Sequence, residues 1–364
     1  MPAGDRPLPY VRATGSPFAL GVRHGTSRAK ALRAFLDDGL TRLNHVLSRP
    51  VTMAELGPRI AAHRAALGAA SPDALDEIRG LAHGAGLTPD EALLLQIRRE
   101  IMGYRRVPTA GDCTTYAVAP STHDSPSVLA QTVDLNGHLD DQICVLDVGR
   151  TDAGRRSLLL SFGGLLGYLG INSEGLAVGI NLVLGGVWEP GLPPYLAVRH
   201  LLDQASDVDS AVAELRRLLP LASSRSFTLC DPRGAAYVEL CGGDLVVVPA
   251  VSGHVVHTNH FLHPDLAHGD ALNPFARRSS LRRLEAASEG VRRLPPSACP
   301  EEHLALLSTR PIRVPDRGDI RAERTVAAVV MVPSRRELHI RPGDPALSAT
   351  QVFRLNRPFQ PQDC

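Results

Sequence analysis

Residues 111–134 read Gly-Asp-Cys-Thr-Thr-Tyr-Ala-Val-Ala-Pro-Ser-Thr-His-Asp-Ser-Pro-Ser-Val-Leu-Ala-Gln-Thr-Val-Asp and mark a seam in the chain. The sequence before the seam is Arg-rich with helical texture; the sequence after it is a series of short β-branched runs separated by Gly. Tyr116 and Val118 alternate with the smaller Ala117 and Ala119, which is the period-2 signature of a half-buried strand. Residues 128–134 read as the returning strand of a hairpin, its turn supplied by Ser121, Asp124, Ser125 and Pro126. Cys113 then stands at the start of the first strand, where a side chain is rigidly held yet reachable. Asp134 ends the second strand close to Cys113. A thiol and a carboxylate at neighbouring strand ends form the kernel of the functional reading.

Upstream, the Gly-punctuated segment 15–25 reads as a turn leading into a helix through residue 47, followed by a helix over 53–67. Ser71-Pro72-Asp73 has the pattern of a helix start, with Pro in the first turn. Thr88 and Glu91 have capping-box spacing at the head of a helix to about residue 102. Downstream, 142–148, 157–162 and 176–183 read as strands, with a Gly/Asn-rich segment before the third whose amides could face a cavity. Two helices (193–204 and 208–219) precede a meander of three strands, and 254–261 runs from strand into loop. An Arg-rich helix over 273–287, a short helix near 301–307 and strands at 325–332 and 337–340 complete the chain. This order predicts an α+β architecture in which helices pack on large antiparallel sheets.

Bulk properties narrow the function classes. The 364 residues are enough for one large domain or two ordinary ones, and the 44% hydrophobic content suits a sizeable core. A net charge of +1 gives no electrostatic case for nucleic acid or an anionic membrane as partner. No apolar run is long enough to span a bilayer, and the N-terminus lacks a charged-then-apolar signal pattern, so a cytoplasmic location is expected. The six Cys (113, 144, 230, 241, 299 and 364) form no CxxC pair, so most should be small buried apolar residues rather than metal ligands or disulfides.

Five segments resemble, in family order, the isopenicillin N acyltransferase-like (acyl-CoA:6-aminopenicillanate acyltransferase) family of N-terminal nucleophile (Ntn) cysteine hydrolases. They are Cys113-Thr-Thr-Tyr-Ala, Ala130-Gln-Thr-Val-Asp134, 170–181 (Gly-Ile-Asn-Ser-Glu-Gly-Leu-Ala-Val-Gly-Ile-Asn), His257-Thr-Asn-His-Phe261 and Thr325-Val-Ala-Ala-Val-Val-Met331. The family usually carries Gln-Asn-Trp-Asp where this chain has Gln131-Thr-Val-Asp134, wording nearer the Arg-Thr-Met-Asp of its penicillin V acylase and bile-salt hydrolase cousins. The resemblance implies a four-layer αββα sandwich and a precursor that cuts itself between Asp112 and Cys113. The products would be a helical segment 1–112 and a catalytic chain 113–364, held as an αβ heterodimer within one structural domain. It also implies that Cys113 is the nucleophile, that Asp134 orients its α-amine, and that Asn259 is an oxyanion donor. The family works on small N-acyl or acyl-thioester substrates without a cofactor, acyl-CoA being a possible co-substrate. Arg277 or Arg278 would match an active-site Arg of the cousins. Gln131, Leu166, Tyr168 and Trp188, with Leu165 and Tyr195, are candidate substrate contacts by adjacency.

The rival readings are concrete. His254, His257, His260 and His263 recur every third residue and could hold zinc on a helix, giving a metal hydrolase. However, Val255, Val256 and Thr258 are β-branched, and in a strand that spacing sends successive His to opposite faces. A papain-like Cys–His pair would leave the chain uncut. A non-catalytic small-molecule binder on an Ntn scaffold would not need Cys113, Asp134 and Asn259 together.

Overall fold

The computed structural model describes residues 7–103, 113–120, 125–152, 154–250 and 253–355. Strand β1 (Tyr10–Gly15) leads into helices α1 (Pro17–Asp37), α2 (Leu43–Val46), α3 (Met53–Ala70), α4 (Pro72–Ala85) and α5 (Pro89–Met102). Strands β2 (Thr114–Val118), β3 (Val128–Leu135), β4 (Ile143–Arg150), β5 (Arg155–Phe162), β6 (Leu169–Asn172) and β7 (Ala177–Leu182) follow. Helices α6 (Pro194–Gln204) and α7 (Val208–Leu218) precede the meander β8 (Arg225–Cys230), β9 (Ala235–Cys241) and β10 (Asp244–Pro249). The chain then runs through β11 (His254–His257), α8 (Pro264–Ala267), α9 (Pro274–Arg293), α10 (Pro300–Leu307), β12 (Arg324–Val332), β13 (Glu337–Pro342) and β14 (Gln351–Arg354).

Two sheets face each other. One has the order β1-β4-β5-β6-β7-β8-β9-β10 and the other β11-β2-β3-β12-β13-β14. Pairing is antiparallel except between β1 and β4. Side-chain alternation splits the hairpin β2–β3 between two cores. Cys113, Ala117, Leu129 and Val133 face the space between the sheets, where Gly179 of β7 approaches Leu129 and the Gln131 side chain. Tyr116, Val128 and Ala130 enter the core beneath α9 and α10, against Ala287, Leu304 and Leu307. Strand β12 is buried on both faces, which is why Thr-Val-Ala-Ala-Val-Val-Met-Val shows no polar alternation. With α1 and α6 against the first sheet, the layers run α, β, β, α as expected.

The segment read as a Gly turn over 15–25 is helical. Helix α1 starts at Pro17, where Ser16 Oγ accepts from the Ala19 amide, and ends at Asp37 rather than continuing to 47. The chain breaks there through Gly39, Leu40, Thr41 and Arg42, all at positive φ. Gly21 and Gly25 lie inside α1 for a packing reason. A Cβ on Gly21 would meet the Glu77 carbonyl oxygen at 2.0 Å, and one on Gly80 of α4 would meet that of Phe18 at 2.1 Å. Glycines on both helices thus let the α1 and α4 backbones touch. The capping box of Thr88 and Glu91 is present at α5, and a second one, Thr52 with Glu55, opens α3. Among the cysteines, Cys144 and Cys230 are buried core residues, whereas Cys299 is exposed. No helix among the described residues is long and apolar enough to cross a membrane.

Candidate active site

Cys113 immediately precedes β2 and is 1% exposed. Its carbonyl oxygen accepts from Asn181 Nδ2 and from Arg283 Nη1, both at 2.9 Å. Its Sγ lies 3.3 Å from the Tyr168 hydroxyl. Two charge- or dipole-bearing donors therefore fix the backbone while the thiol faces a cleft lined by Leu135, Phe162, Leu165, Tyr168 and Tyr195. Gly163, at positive φ, also lines the cleft, so the Gly-rich segment does form part of its wall. Asp112 lies outside the described residues, as do 121–124 of the hairpin turn.

Asp134 is fully buried on the helix-facing side of β3, two residues past Thr132, which pairs with Thr114. Its Oδ1 accepts from the Thr325 hydroxyl at 2.6 Å. The Thr132 hydroxyl reaches Oδ2 at 3.4 Å and itself accepts from the Thr114 amide at 3.1 Å. The carboxylate is thus linked to the backbone one residue from Cys113, on the opposite face from the thiol. A carboxylate so placed can hold a backbone nitrogen of Cys113; it is not placed to take the proton of Sγ.

Asn259 follows β11, whose His257 pairs with Thr115, so the strand's continuation runs beside Cys113. Arg283 Nη2 donates to Asn259 Oδ1 at 2.7 Å, and Asn259 Nδ2 donates to the Leu182 carbonyl at 3.0 Å. The guanidinium can only donate, so the Asn259 amide is oriented without ambiguity. One of the two Nδ2 hydrogens goes to Leu182, a residue of the cleft wall. Two supports set the loop. The Asn259 amide donates to Ser280 Oγ at 2.8 Å. Buried Glu239 bonds His257 Nε2 at 2.8 Å and accepts from the Leu262 and His263 amides. Burial pushes the Glu239 carboxyl up, but the His257 bond and charge and the two amides outweigh it and leave it below its ordinary range.

Other expected contacts fall elsewhere. Gln131 is fully buried between the sheets, donating to the Ile180 carbonyl at 2.8 Å and accepting from the Ile180 amide at 3.0 Å. Strand β6 is too short to pair with β7 at that point, and the Gln131 side chain substitutes for the missing neighbour. Leu166 turns away from the cleft; its amide donates to Gln96 Oε1 at 3.0 Å. Trp188 lies behind the cleft wall, its Nε1 donating to Ser224 Oγ at 3.3 Å. Arg277 pairs with Asp270 at 3.1 Å, and Arg278 is exposed. The arginine of α9 that reaches Cys113 is Arg283, a turn and a half further on, 1% exposed. Its signal was weak because α9 carries six Arg, and only burial singles this one out. Asn181 was also missed as a site residue, although it ends one of the five motifs. The four His do not converge. His257 binds Glu239 and the Thr258 carbonyl, His260 binds Ser280 Oγ at 2.8 Å, and His263 caps α8. His254 and His257 face opposite sides of β11, as their spacing in a strand requires.

With this geometry in hand, the chain matches the model of the family described as acyl-coenzyme A:6-aminopenicillanic acid acyl-transferase over residues 121–346. The chain belongs to that family and is an enzyme of its acyltransferase/amidohydrolase class. A relative from Emericella nidulans, acyl-coenzyme A:6-aminopenicillanic-acid-acyltransferase 40 kDa form, is 28% identical over 298 residues, covering 78% of this chain and 79% of the relative. Among solved structures, penicillin V acylase from Agrobacterium tumefaciens is 18% identical, with TM-score 0.45, covering 68% of this chain and 93% of its own. The Caenorhabditis elegans ortholog of N-acylethanolamine-hydrolyzing acid amidase is 17% identical, with TM-score 0.46, covering 67% and 100%. At those scores the two structural likenesses leave the functional reading to the residues.

Proposed function

We propose that the protein is a self-cleaving cysteine amidohydrolase or acyltransferase that passes an acyl group through a thioester on Cys113. The observation that carries this reading is the grip of Asn181 and Arg283 on the Cys113 carbonyl while its thiol faces the cleft. In the precursor, Sγ attacks the Asp112 carbonyl carbon, the peptide C–N bond breaks, and water hydrolyses the resulting thioester. The products are the Asp112 carboxylate and a free α-amine on Cys113. That amine has a reference pKa of ~7.7–8 and takes the thiol proton near neutrality without a His. Asp134, one residue away through Thr132 and Thr114, orients it.

In turnover the thiolate attacks the substrate carbonyl and the oxyanion draws on the Nδ2 donor of Asn259. The leaving amine, or thiol when the donor is acyl-CoA, takes the proton back from the α-ammonium. Water or an amine then resolves the acyl-enzyme, giving hydrolysis or acyl transfer. The family name and the Emericella nidulans relative support a small N-acyl compound or acyl-CoA as the substrate class.

Intact-mass analysis tests the reading. Active protein should consist of two pieces, 1–112 and 113–364, and Cys113→Ala should stay whole and inactive. Fully active enzyme with the single 38.9 kDa mass of the whole chain overturns it.

A further inference from the structure

The Cys113 sulfur faces a phenol: the Tyr168 hydroxyl lies 3.3 Å from Sγ, and both side chains are buried. Tyr168 ends the Gly-rich turn between β5 and β6, and that turn is clamped by two helices. Gln96 of α5 donates from Nε2 to the Gly164 carbonyl at 2.8 Å and accepts from the Leu166 amide at 3.0 Å. Arg199 of α6 donates to the Leu166 carbonyl at 3.3 Å, and the Tyr168 amide donates to the Leu160 carbonyl at 2.9 Å. The ring is held as firmly as the backbone. Tyr195 stacks on it with centroids 4.9 Å apart, and Phe162 meets it edge-on at 5.3 Å. Backbone and ring together bring the hydroxyl to Sγ.

The direction of that bond depends on the charge of the sulfur. A neutral thiol is a weak donor and a weak acceptor, so either direction serves and little is gained. A thiolate has no hydrogen left, so the tyrosine must donate, and a bond to an ion is roughly twice as strong as a neutral one. The contact therefore favours the ionised form. Cys113 is 1% exposed, and burial opposes a thiolate. Burial pushes the thiols of Cys144 and Cys230 up in the same protein. We infer that Tyr168 is a catalytic residue whose hydroxyl donates to the Cys113 thiolate, both when the sulfur attacks and when it leaves. This rests on the thioester reading above. The thiol proton goes to the α-amine, the sulfur lone pair forms the S–C bond, and Tyr168 keeps its O–H bond throughout. When the thioester breaks, the pair returns to sulfur and the hydrogen bond with it.

Tyr168→Phe removes the hydroxyl and keeps the stacked ring, so thermal unfolding should stay at the wild-type temperature. The first readout is alkylation of Cys113 by chloroacetamide as a function of pH, followed on the peptide that carries it, which requires no substrate. Its midpoint should rise by about one to two pH units in Tyr168→Phe. Below the midpoint the rate should fall roughly three- to tenfold, and above it the variant should match or exceed wild type, because a more basic thiolate is the better nucleophile. The second readout is kcat/KM of an acyl p-nitroanilide against pH, whose acid limb should move the same way. A hydroxyl that only touches substrate would instead raise KM equally at every pH and leave the alkylation midpoint in place. A folded Tyr168→Phe chain that stays uncut shows the same loss in the attack on Asp112 and supports the role. Identical alkylation midpoints, with Cys113→Ala inactive, overturn this inference and leave the thioester reading standing. Wild-type turnover by Cys113→Ala removes the thioester reading, and the role of Tyr168 with it.

Discussion

Arg283 Nη2 donates to Asn259 Oδ1 at 2.7 Å, while Nη1 of the same guanidinium holds the Cys113 carbonyl and, at 3.0 Å, the Thr114 hydroxyl. The proposed nucleophile and the proposed oxyanion donor are therefore set against each other by one planar group. Lysine supplies the charge but not the fork, so Arg283→Lys should release the Asn259 amide from its orientation. The expected result is a fall in kcat of at least about tenfold with KM nearly unchanged, since orientation matters most in the transition state. Arg283→Met should in addition lower stability by about 1–3 kcal/mol for each buried acceptor it strands. Steady-state kinetics beside thermal unfolding separates these effects, and a wild-type kcat in Arg283→Lys would reduce the residue to a packing role.

Asn259→Ala removes the proposed oxyanion donor itself. The lost Leu182 bond costs about 0.5–1.5 kcal/mol and the stranded Arg283 Nη2 about 1–3 kcal/mol more, so the protein should still fold, with reduced stability. Its kcat should fall roughly a hundred- to a thousandfold, with little change in KM. Asn259→Asp is the sharper variant, because it keeps an oxygen for Arg283 and loses only the N–H donors. If kcat of Asn259→Ala stays within about twofold of wild type, the donor must be sought among the amides of the 164–170 loop.

Much of this was legible in the chain, for identifiable reasons. The β2–β3 hairpin was readable because half-buried strands alternate and its two strands are close in sequence. Helices α4 and α5 were readable from their Pro and capping residues. Strand β1 was not, since its partner among the described residues, β4, is far along the chain and just Val11 and Ala13 of it are buried. Helix α1 was obscured because Gly21 and Gly25 serve a contact with α4 that local propensity does not encode. That Cys113, Asp134 and Asn259 lie together was legible because strand ends and motif order bring them to one place. Arg283 and Asn181 were not, because their contacts with Cys113 depend on which of many Arg and Asn become buried.

Gln131 offers a stability test of its reassigned role. Gln131→Leu should leave the Ile180 N–H and C=O without partners between the sheets, costing about 1–3 kcal/mol for each. Gly179→Ala probes the same contact from the other side, since its Cβ would meet Gln131 Oε1 at 2.7 Å and Leu129 Cδ2 at 3.0 Å. Overpacking of that kind costs about 1–3 kcal/mol. Denaturant titration should show both losses, with KM of the folded Gln131→Leu enzyme unchanged. A stable Gln131→Leu with a raised KM would return Gln131 to the substrate pocket.

Acid sensitivity should trace to buried His, and His24 isolates the effect. It lies in α1, 2% exposed, and neither ring nitrogen has a hydrogen-bond partner among the described residues. Burial first, then the Arg28 and Arg199 charges, lowers its pKa to about 3. Burial likewise lowers His260 and His303 to about 4. The folded state therefore keeps these rings neutral where the unfolded chain binds protons. Each contributes stability that is fully present above the unfolded pKa of about 6.5 and is lost as pH falls toward the folded value. The slope is about 1.4 kcal/mol per pH unit for each ring, so lowering the pH from 6.5 to 5 costs about 2 kcal/mol through His24 alone. His24→Leu loses no hydrogen bond to a described residue and should match wild type within about 1.5 kcal/mol at pH 7. At pH 5 it should gain about 2 kcal/mol relative to wild type, with one proton fewer in the pH dependence of unfolding. Urea titrations of both proteins at pH 7 and pH 5 give the comparison. Parallel pH dependences would mean that the folded protein protonates His24 without penalty, and the acid lability would then belong to His260, His303 and the carboxylates.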